Sequence, residues 1–385
     1  MVWWMFLILG WLLFIRWVSH FPSFLFFLRK RRLFLFADLP VSTFPMVSII
    51  VSARNEEDKI ERCLASLMEL DYPTLEIIAV NDRSTDGTGI IMDGLSVNDD
   101  RLTAIHIEGL PEKWLGKNHA MHIGSQKAKG DFLLFTDGDI IFKNNTLRLA
   151  MGHTLDKGLD HLVLFPRAIT NTFWETAFTG FFGFIYIMVI KPAKVLSGSM
   201  KSYAGAGAFN LIKRSSYMKI GGHVPLRLEV IDDLKLGKLV KMSGLRQDIL
   251  LADDLLSVRW HDGVWGLVKG FEKNMFASLN FSIAKLLYVT LLMIYGFFFP
   301  YIGIIMFHGL QIWGYVFAIL AMHTLFGFYG TQTGGGFKTT FSLPFAAMLF
   351  LWSYWNSTFK TLYNGGISWR DTFYPIKLLK DNKYN

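Results

Sequence analysis

The chain has 385 residues, of which 52% are hydrophobic, 16% aromatic and only 18% charged. This composition is too apolar for an ordinary soluble protein and excludes a purely cytosolic globule. The formal net charge is +8, but the basic residues lie beside apolar runs, which favours anionic lipid headgroups over nucleic acid as the partner. The single cysteine, Cys63, excludes a disulfide framework and a cysteine-rich zinc module, and it fits a reducing compartment.

The first predicted element is a membrane anchor at residues 1–32. Residues 2–15 form an unbroken apolar run, and the chain stays mostly apolar to residue 28 before the basic cluster 29–32. A secretory signal peptide would carry its basic residues first and a small-residue cleavage site last, so we predict an uncleaved anchor. Because basic flanks stay cytoplasmic, the N-terminus is expected outside and the chain after Arg32 in the cytosol.

Residues 46–258 are predicted to form a cytosolic α/β domain, because short β-branched runs alternate with helical periods. The predicted strands lie at residues 47–51, 75–80, 102–107 and 132–135. Polar clusters follow three of these strands, at residues 55–57, 81–84 and 136–139. Since ligands of open α/β sheets bind at the carboxyl ends of the strands, we expect the three clusters to share one crevice. No Walker-type P-loop and no G-x-G-x-x-G turn follows a strand, which argues against ATP hydrolysis and against a dinucleotide oxidoreductase.

Asp137-Gly138-Asp139 directly follows the fourth predicted strand. Two carboxylates at this spacing can have different roles, because one can face a nucleotide while the other binds a divalent ion beside a diphosphate. One or two carboxylates together with substrate phosphates typically bind Mg²⁺ or Mn²⁺, which is the expected cofactor. By itself, the D-x-D pattern is also typical of a turn.

Two apolar segments are predicted to lie at the membrane surface. Residues 173–190 interrupt the α/β domain and are a marginal span, and two spans would be needed to keep the flanking motifs on one side. We therefore favour a surface-lying or groove-lining element there. Residues 259–283 interleave aromatic and basic side chains, which predicts an interfacial amphipathic helix.

Residues 284–363 contain no acidic residue and are predicted to form a C-terminal transmembrane helix bundle. Apolar runs at 285–307, 311–330 and 341–363 each reach the ~20 residues that a span requires. With the anchor, the protein would be multi-pass in the cytoplasmic membrane. Four spans would leave the basic tail, residues 364–385, outside, although basic residues prefer the cytosol. One of the three runs is therefore a candidate re-entrant segment, and the sequence does not distinguish which.

The motifs together resemble those of family-2 glycosyltransferases of the GT-A fold. The motifs that carry this resemblance are SARNEE at 52–57, NDRSTDGT at 81–88 and DGD at 137–139. More narrowly, KWLGKNHA at 113–120 resembles a block of the membrane enzymes that glycosylate carotenoid acids and of hopanoid-associated transferases. The same order continues with GGH at 221–223, IDDL at 231–234, Arg259, ISWRD at 367–371 and Tyr374.

The resemblance implies a Rossmann-like domain that binds a nucleotide-diphosphate sugar, with UDP as the preferred nucleotide. It implies nucleotide-sugar contacts for Asn55, Glu56, Asp82, Lys117 and Asp137. It implies a metal ligand at Asp139 and the catalytic general base at Asp233. His223, Arg259 and Trp260 are candidate contacts of the diphosphate or the acceptor.

The sequence departs from the family pattern at three positions. Ser52 stands where proline is usual, and Asp232 replaces a glutamate. Leu256 stands at the glutamine position of the Q-x-x-R-W box of processive synthases, so polymer synthesis is not expected. Asp253 and Asp254 remain competitors of Asp233 for the role of base.

These features predict an inverting, metal-dependent transferase that moves a single sugar from a nucleotide-diphosphate sugar to a carotenoid-acid or hopanoid-type membrane lipid. A cation would stabilise the leaving diphosphate, and a base would deprotonate an acceptor hydroxyl. A ceramide, diacylglycerol or polyprenyl-phosphate acceptor is the alternative within the same class. A catalytically inactive membrane scaffold that binds nucleotide sugar is the alternative from a different class.

Overall fold

The structure is a computed structural model that describes residues 2–36 and 43–381. The chain divides into two units. The helical unit comprises Met1–Arg29, Thr170–Lys191 and His261–Gly365, and the α/β unit comprises Lys30–Ile169, Pro192–Trp260 and Gly366–Asn385.

The strands are β1 (Val47–Ala53), β2 (Leu75–Asp82), β3 (Leu102–Ile107), β4 (Phe132–Asp137), β5 (Ile140–Phe142), β6 (His161–Ala168), β7 (Asn210–Lys213), β8 (Gln247–Val258), β9 (Gly366–Trp369) and β10 (Thr372–Pro375). The helices are α1 (Val2–Lys30), α2 (Ile60–Met68), α3 (Thr88–Ser96), α4 (Gly116–Lys127), α5 (Thr146–Asp156), α6 (Phe173–Ile190), α7 (Arg214–Lys219), α8 (Asp232–Met242), α9 (Gly263–Ser278), α10 (Ile283–Met293), α11 (Phe299–Met306), α12 (Ile312–Gln332), α13 (Leu343–Tyr363) and α14 (Ile376–Lys380).

The α/β unit is built on one eight-stranded sheet, with the strand order β3-β2-β1-β4-β7-β6-β8-β5. The first four of these strands are parallel, whereas β7 pairs antiparallel with both β4 and β6. Strands β6 and β8 are parallel, and β5 closes the far edge antiparallel to β8. The predicted α/β class is confirmed.

Helices cover both faces of this sheet. Alternate residues of each central strand point to opposite faces, so Ile49 and Val51 join one core cluster and Ile50 joins the other. On the first face, α2 packs against the sheet, with Cys63 and Leu64 fully buried. On the second face, α4, α7 and α8 contribute the covering side chains. Strands buried on both faces explain the nearly continuous apolar runs of β1, β2 and β4.

The chain that follows α1 is fastened to the sheet by ion pairs. Arg31 pairs with the buried Asp248, which also lies 2.8 Å from the imidazole Nε2 of the buried His153. Arg32 pairs with Asp253 at 2.5 Å, and the amide of Leu251 donates to the carbonyl oxygen of Arg31. Two members of the predicted basic flank are therefore part of the α/β unit.

The segment predicted as a basic tail is largely ordered. Strands β9 and β10 form an antiparallel hairpin, Gly366–Pro375, and α14 follows directly. Although this hairpin comes after all of the helical unit in the sequence, it belongs to the α/β unit. Of the basic residues predicted for the tail, Lys383 lies outside the described residues.

Four helical segments of the described chain are long and apolar enough to cross a membrane. They are Trp4–Lys30, Phe173–Lys194, Ile283–Met306 and Gly309–Gln332. The third contains a π-helical turn, Ile294–Phe298, between α10 and α11, and Pro300 lies at the start of α11. The set includes the segment that we predicted to lie on the membrane surface.

Helix α13, which the sequence predicted as a span, is not among these four. Its polar side chains face α9. The Ser357 hydroxyl accepts from the amide of Phe276 at 3.0 Å, and Asn356 donates to Glu272 at 2.9 Å. Lys360 pairs with the same carboxylate at 2.5 Å. These contacts explain why α13 has the length of a span without the composition of one.

Candidate functional site

The three polar clusters that follow β1, β2 and β4 lie together, as expected. Parallel pairing aligns Ala53 with Asn81 and Ser52 with Asp137, so these strands end at the same level of one sheet edge. The side chains that follow each strand therefore face a common crevice.

Asp82, at the end of β2, is a buried carboxylate held by arginines. Arg83 donates from Nε to Oδ1 at 2.8 Å, and Nη1 of Arg54 lies 4.0 Å from Oδ2. A Cβ atom at Gly116 would lie 2.1 Å from Oδ2 of Asp82, so α4 can begin at this position only with glycine. The start of α4 thereby brings the neighbouring Lys117 into the crevice.

Lys117 lies among three carboxylates. Its Nζ is 2.7 Å from Oδ1 of Asp137 and 3.6 Å from Oδ1 of Asp232. Burial alone would lower the pKa of Lys117, but Asp137, Asp232 and Asp233 together raise that pKa above its ordinary value. Lys117 therefore stays protonated and presents a positive charge to the three carboxyl groups.

Gly207 allows the loop before β7 to approach Asp137. The amide of Asp137 donates to the carbonyl oxygen of Gly207 at 3.1 Å, and a Cβ at Gly207 would lie 2.3 Å from Oδ2 of Asp137. Gly205 is similarly confined, because its Cβ would lie 2.0 Å from the carbonyl oxygen of Asp233. These glycines allow close packing around carboxylates.

Asp139, the predicted metal ligand, has Lys59 as its cationic neighbour, with Nζ 3.4 Å from Oδ2. Burial, and then the charge of Asp137, raises the pKa of Asp139 to about 6. A carboxylate in this environment is stabilised by an approaching cation, which fits Mg²⁺ or Mn²⁺. Among the described residues no preassembled cluster of three or more acidic, histidine or cysteine ligands exists. A divalent ion would therefore bind Asp139 together with oxygens of a diphosphate and water.

Asp232 and Asp233 form the first turn of α8. The amide of Leu234 donates to Oδ1 of Asp233 at 2.7 Å, which orients that side chain. Asp232, which replaces the family's glutamate, is buried and reaches Lys117. The competing acids are engaged elsewhere, since Asp253 pairs with Arg32 and Asp254 with Arg167.

The three candidate diphosphate or acceptor contacts lie on other elements. His223 is buried; its Nδ1 lies 2.7 Å from the hydroxyl of Tyr217, and burial lowers its pKa to about 3. Arg259 donates to the carbonyl oxygen of Ile169 at 3.4 Å, and Trp260 packs against the core of the sheet. Roles for these three residues stay predictions.

The hairpin Gly366–Pro375 adds side chains to the crevice, and none of them was predicted to have a role in the site. Arg370 donates from Nη1 to the carbonyl oxygen of Asn55 at 3.0 Å and pairs with the carboxylate of Glu56. Burial raises the pKa of Glu56 although Arg370 and Lys59 act in the opposite direction. The motif at 367–371 was the one sequence feature that pointed to this hairpin. It did not reveal the contacts, because the residues that it contacts lie far away in the sequence.

Comparison with known proteins agrees with this geometry. Residues 48–221 match the model of glycosyl transferase family 2. The 4,4'-diaponeurosporenoate glycosyltransferases of Staphylococcus aureus strains MRSA252 and USA300 are each 26% identical over 257 residues, which is 65% of this chain and 66% of the relative. The chain thus spans just under two thirds of the length of these relatives.

Solved structures that are similar include the mannosyltransferase PcManGT from Pyrobaculum calidifontis in complex with GDP-Man and Mn²⁺. It is 17% identical, with 92% of this chain and 99% of that chain covered and a TM-score of 0.46. TarS 1–349 of S. aureus in complex with UDP is 16% identical, with 79% and 91% covered and a TM-score of 0.42. The family match over residues 48–221 agrees with the predicted glycosyltransferase domain, and the mixed sheet confirms the predicted α/β class.

We predict that Gly207→Ala weakens nucleotide binding and lowers turnover by at least tenfold, because its methyl group would displace Asp137 from Lys117. Gly94→Ala is the matched control, since a Cβ there meets nothing within 4 Å and alanine is the better helix former. Nucleotide affinity and donor turnover of both purified variants test this. Parental affinity in Gly207→Ala would show that the position of Asp137 does not matter.

Proposed function

We propose that this chain, whose residues 48–221 are a family-2 glycosyltransferase domain, moves one sugar from a nucleotide-diphosphate sugar to a membrane lipid. The observation that carries this proposal is the convergence of carboxylates and cations at the carboxyl edge of the sheet, in a chain that also has a set of apolar helices. An inactive scaffold would not need this arrangement of carboxyl groups and cations.

The donor would lie along the sheet edge. Asn55, Glu56 and Asp82 would contact the nucleoside, with Asp82 accepting from a ring N–H of the base. Lys117 and Asp137 would lie at the diphosphate, where the ammonium group neutralises phosphate charge. A divalent ion on Asp139, Mg²⁺ or Mn²⁺, would supply further positive charge to the leaving diphosphate.

Asp233 would act on the acceptor. In an inverting transfer, the acceptor oxygen attacks the anomeric carbon while the bond from that carbon to the diphosphate oxygen breaks. The proton of an acceptor hydroxyl would pass to Asp233, whereas a carboxylic acid acceptor is already ionised and would only be oriented. The engagement of Asp253 and Asp254 with arginines supports this choice of base.

Leu256 supports the transfer of a single sugar. It is fully buried in β8 and pairs with Phe142 of β5, so this position contributes to the core and offers no polar group to a growing polymer. The glutamine of the processive box therefore has no counterpart here.

The acceptor would be a lipid of the carotenoid-acid or hopanoid type. The carotenoid-acid class follows the names of the relatives, 4,4'-diaponeurosporenoate glycosyltransferases. Trp265 of α9, 68% exposed, and the half-exposed Phe173 and Trp174 of α6 support contact with an apolar partner. Ceramide, diacylglycerol and polyprenyl phosphate remain the alternatives within the class.

Connectivity supports a topology with three crossings in the cytoplasmic membrane. Strands β6 and β7 pair in one sheet, so α6, between them, cannot cross a membrane once and is kept at the surface. Strand β8 and the hairpin Gly366–Pro375 also belong to one unit, so residues 261–365 cross an even number of times. Ile283–Met306 and Gly309–Gln332 supply two crossings, α13 supplies none and α1 supplies the third. The parity conflict disappears, with the α/β unit and the tail both cytosolic.

We predict that Asp139→Ala abolishes metal-dependent nucleotide binding, whereas Asp233→Asn keeps binding and lowers turnover by about 10²–10⁴-fold. The first variant removes a ground-state ligand and the second a base that acts in the transition state. Calorimetry with and without Mn²⁺, together with turnover, separates them. Asp254→Asn, at an exposed acid, should match the parent. If Asp139→Ala keeps the metal-dependent affinity for nucleotide, Asp139 is not the metal ligand.

We predict that cysteines placed at Lys143 and Lys377 resist an impermeant thiol reagent in intact cells, whereas one at His308, between α11 and α12, is labelled. The reason is the even number of crossings between the sheet and the tail. The native Cys63 is buried and gives no background. Labelling at Lys377 would contradict the topology.

We predict that purified protein, incubated with a panel of nucleotide sugars and extracted host lipids, yields lipids carrying one sugar by mass spectrometry. Trp265→Glu should raise the Michaelis constant for lipid and leave that for donor unchanged, because it places charge on an exposed apolar surface. Met218→Glu, at an equally exposed residue of the α/β unit, is the control. Efficient transfer to soluble oligosaccharides, or products longer than two or three sugars, would refute the proposal.

A further inference from the structure

We propose that Arg370, at the turn of the hairpin Gly366–Pro375, is a further donor-binding residue that contacts the diphosphate. This inference rests on the proposed function and adds to it a donor-binding residue that lies 314 residues after its partner Glu56. The guanidinium group of Arg370 contacts Glu56 and Asn55, two residues of the expected nucleoside site.

The hairpin contacts several of the loops that form the donor crevice. Besides the contacts of Arg370, Arg54 donates to the hydroxyl of Thr372 at 3.3 Å. The amide of Gly116, at the start of α4, donates to the hydroxyl of Tyr374 at 3.2 Å. Because Gly116 directly precedes Lys117, the hairpin borders the part of the crevice where the diphosphate is expected.

The turn itself is built from residues that disfavour its backbone conformation. Arg370 and Asp371 have φ of 48° and 63°, a left-handed conformation that glycine and asparagine adopt more readily in two-residue hairpin turns. A residue with a Cβ atom is sterically strained in this conformation. Strained backbone of this kind concentrates at ligand sites, and here it presents a guanidinium group to the crevice.

Arg370 is the most accessible cation among those that border the crevice. Its side chain is 41% exposed, against 34% for Lys59 and 14–18% for Arg54, Arg83 and Lys117. Lys117 already lies among three carboxylates. Arg54 and Arg83 both pair with Asp82. Arg370 is therefore the cation of this group that an incoming anion can reach most directly.

The chemistry of the guanidinium group favours a diphosphate as its ligand. Its planar donors match two phosphate oxygens at once, and charge-assisted hydrogen bonds of this kind are among the strongest in proteins. Glu56 would then hold Arg370 in place before the donor arrives, while Lys59, 4.0 Å from the other oxygen of Glu56, remains beside that carboxylate.

The test compares affinities for a nucleoside diphosphate and its monophosphate, using UDP with UMP and GDP with GMP, in the full-length protein. Arg370→Gln should weaken binding of the diphosphate by about tenfold or more and that of the monophosphate by less than about threefold. Arg370→Lys keeps the charge without the planar fork and should be intermediate. Lys377→Gln, which removes an exposed cation just beyond the hairpin, should match the parent.

Tyr374→Phe separates binding from stability. It removes the hydroxyl that accepts from Gly116 and should lower the unfolding temperature while the ratio of diphosphate to monophosphate affinity is kept.

If Arg370→Gln lowers only the unfolding temperature, or weakens the binding of both nucleotides equally, the inference is overturned and the proposed function stands. If Arg370→Gln does not fold, Arg370→Lys decides, and a parental affinity ratio there overturns the inference. If the parent binds neither UDP nor GDP, the proposed function itself fails.

Discussion

Alternating charges along the carboxyl edge of the sheet are the interaction on which the α/β unit depends. Arg370, Glu56, Lys59 and Asp139 follow one another with no step longer than 4.0 Å. Lys117 continues the pattern between Asp137 and Asp232. Buried carboxylates are costly without a counter-ion, so each acid requires the cation beside it. The site that would bind a donor and the interactions that stabilise this edge are therefore the same groups.

These charges come from distant parts of the chain, and the connectivity determines how they meet. The ion pair of Arg31 with Asp248 fastens the segment after α1, and that of Arg370 with Glu56 fastens a hairpin 314 residues away from its partner. The entropy of closing such a long loop grows only slowly with its length, so one strong ion pair and a few hydrogen bonds offset it. Residues 55 and 56 are thus complete as a site only when the last strands of the chain have folded.

The sequence predicts the central strands and the polar clusters at their ends, because both depend on local patterns. Strands β1, β2 and β4 are apolar runs that end in polar clusters, and Asp137-Gly138-Asp139 has a recognisable spacing. The later strands were not predicted, since β8 carries Asp253 and Asp254 where its pairing shifts register. The hairpin also escaped prediction because its turn is Arg-Asp, without the Asn-Gly signal of a tight turn. Lys59 and Arg370 act through partners that no local pattern reveals.

The register between β6 and β8 also determines where α6 and α9 begin. Ala168 of β6 pairs with Val258 of β8, and α6 and α9 begin five residues beyond this pair. Glu175 joins the first turns of these helices, because its carboxylate accepts from the amides of Asn171 and Gly263, each at 2.6 Å. This buried acid is the one charged residue in the apolar stretch 173–190. A lone buried carboxylate in such a stretch is an obvious candidate for a catalytic residue. Since both of its oxygens accept backbone amides, Glu175 is explained as a helix cap and needs no catalytic role.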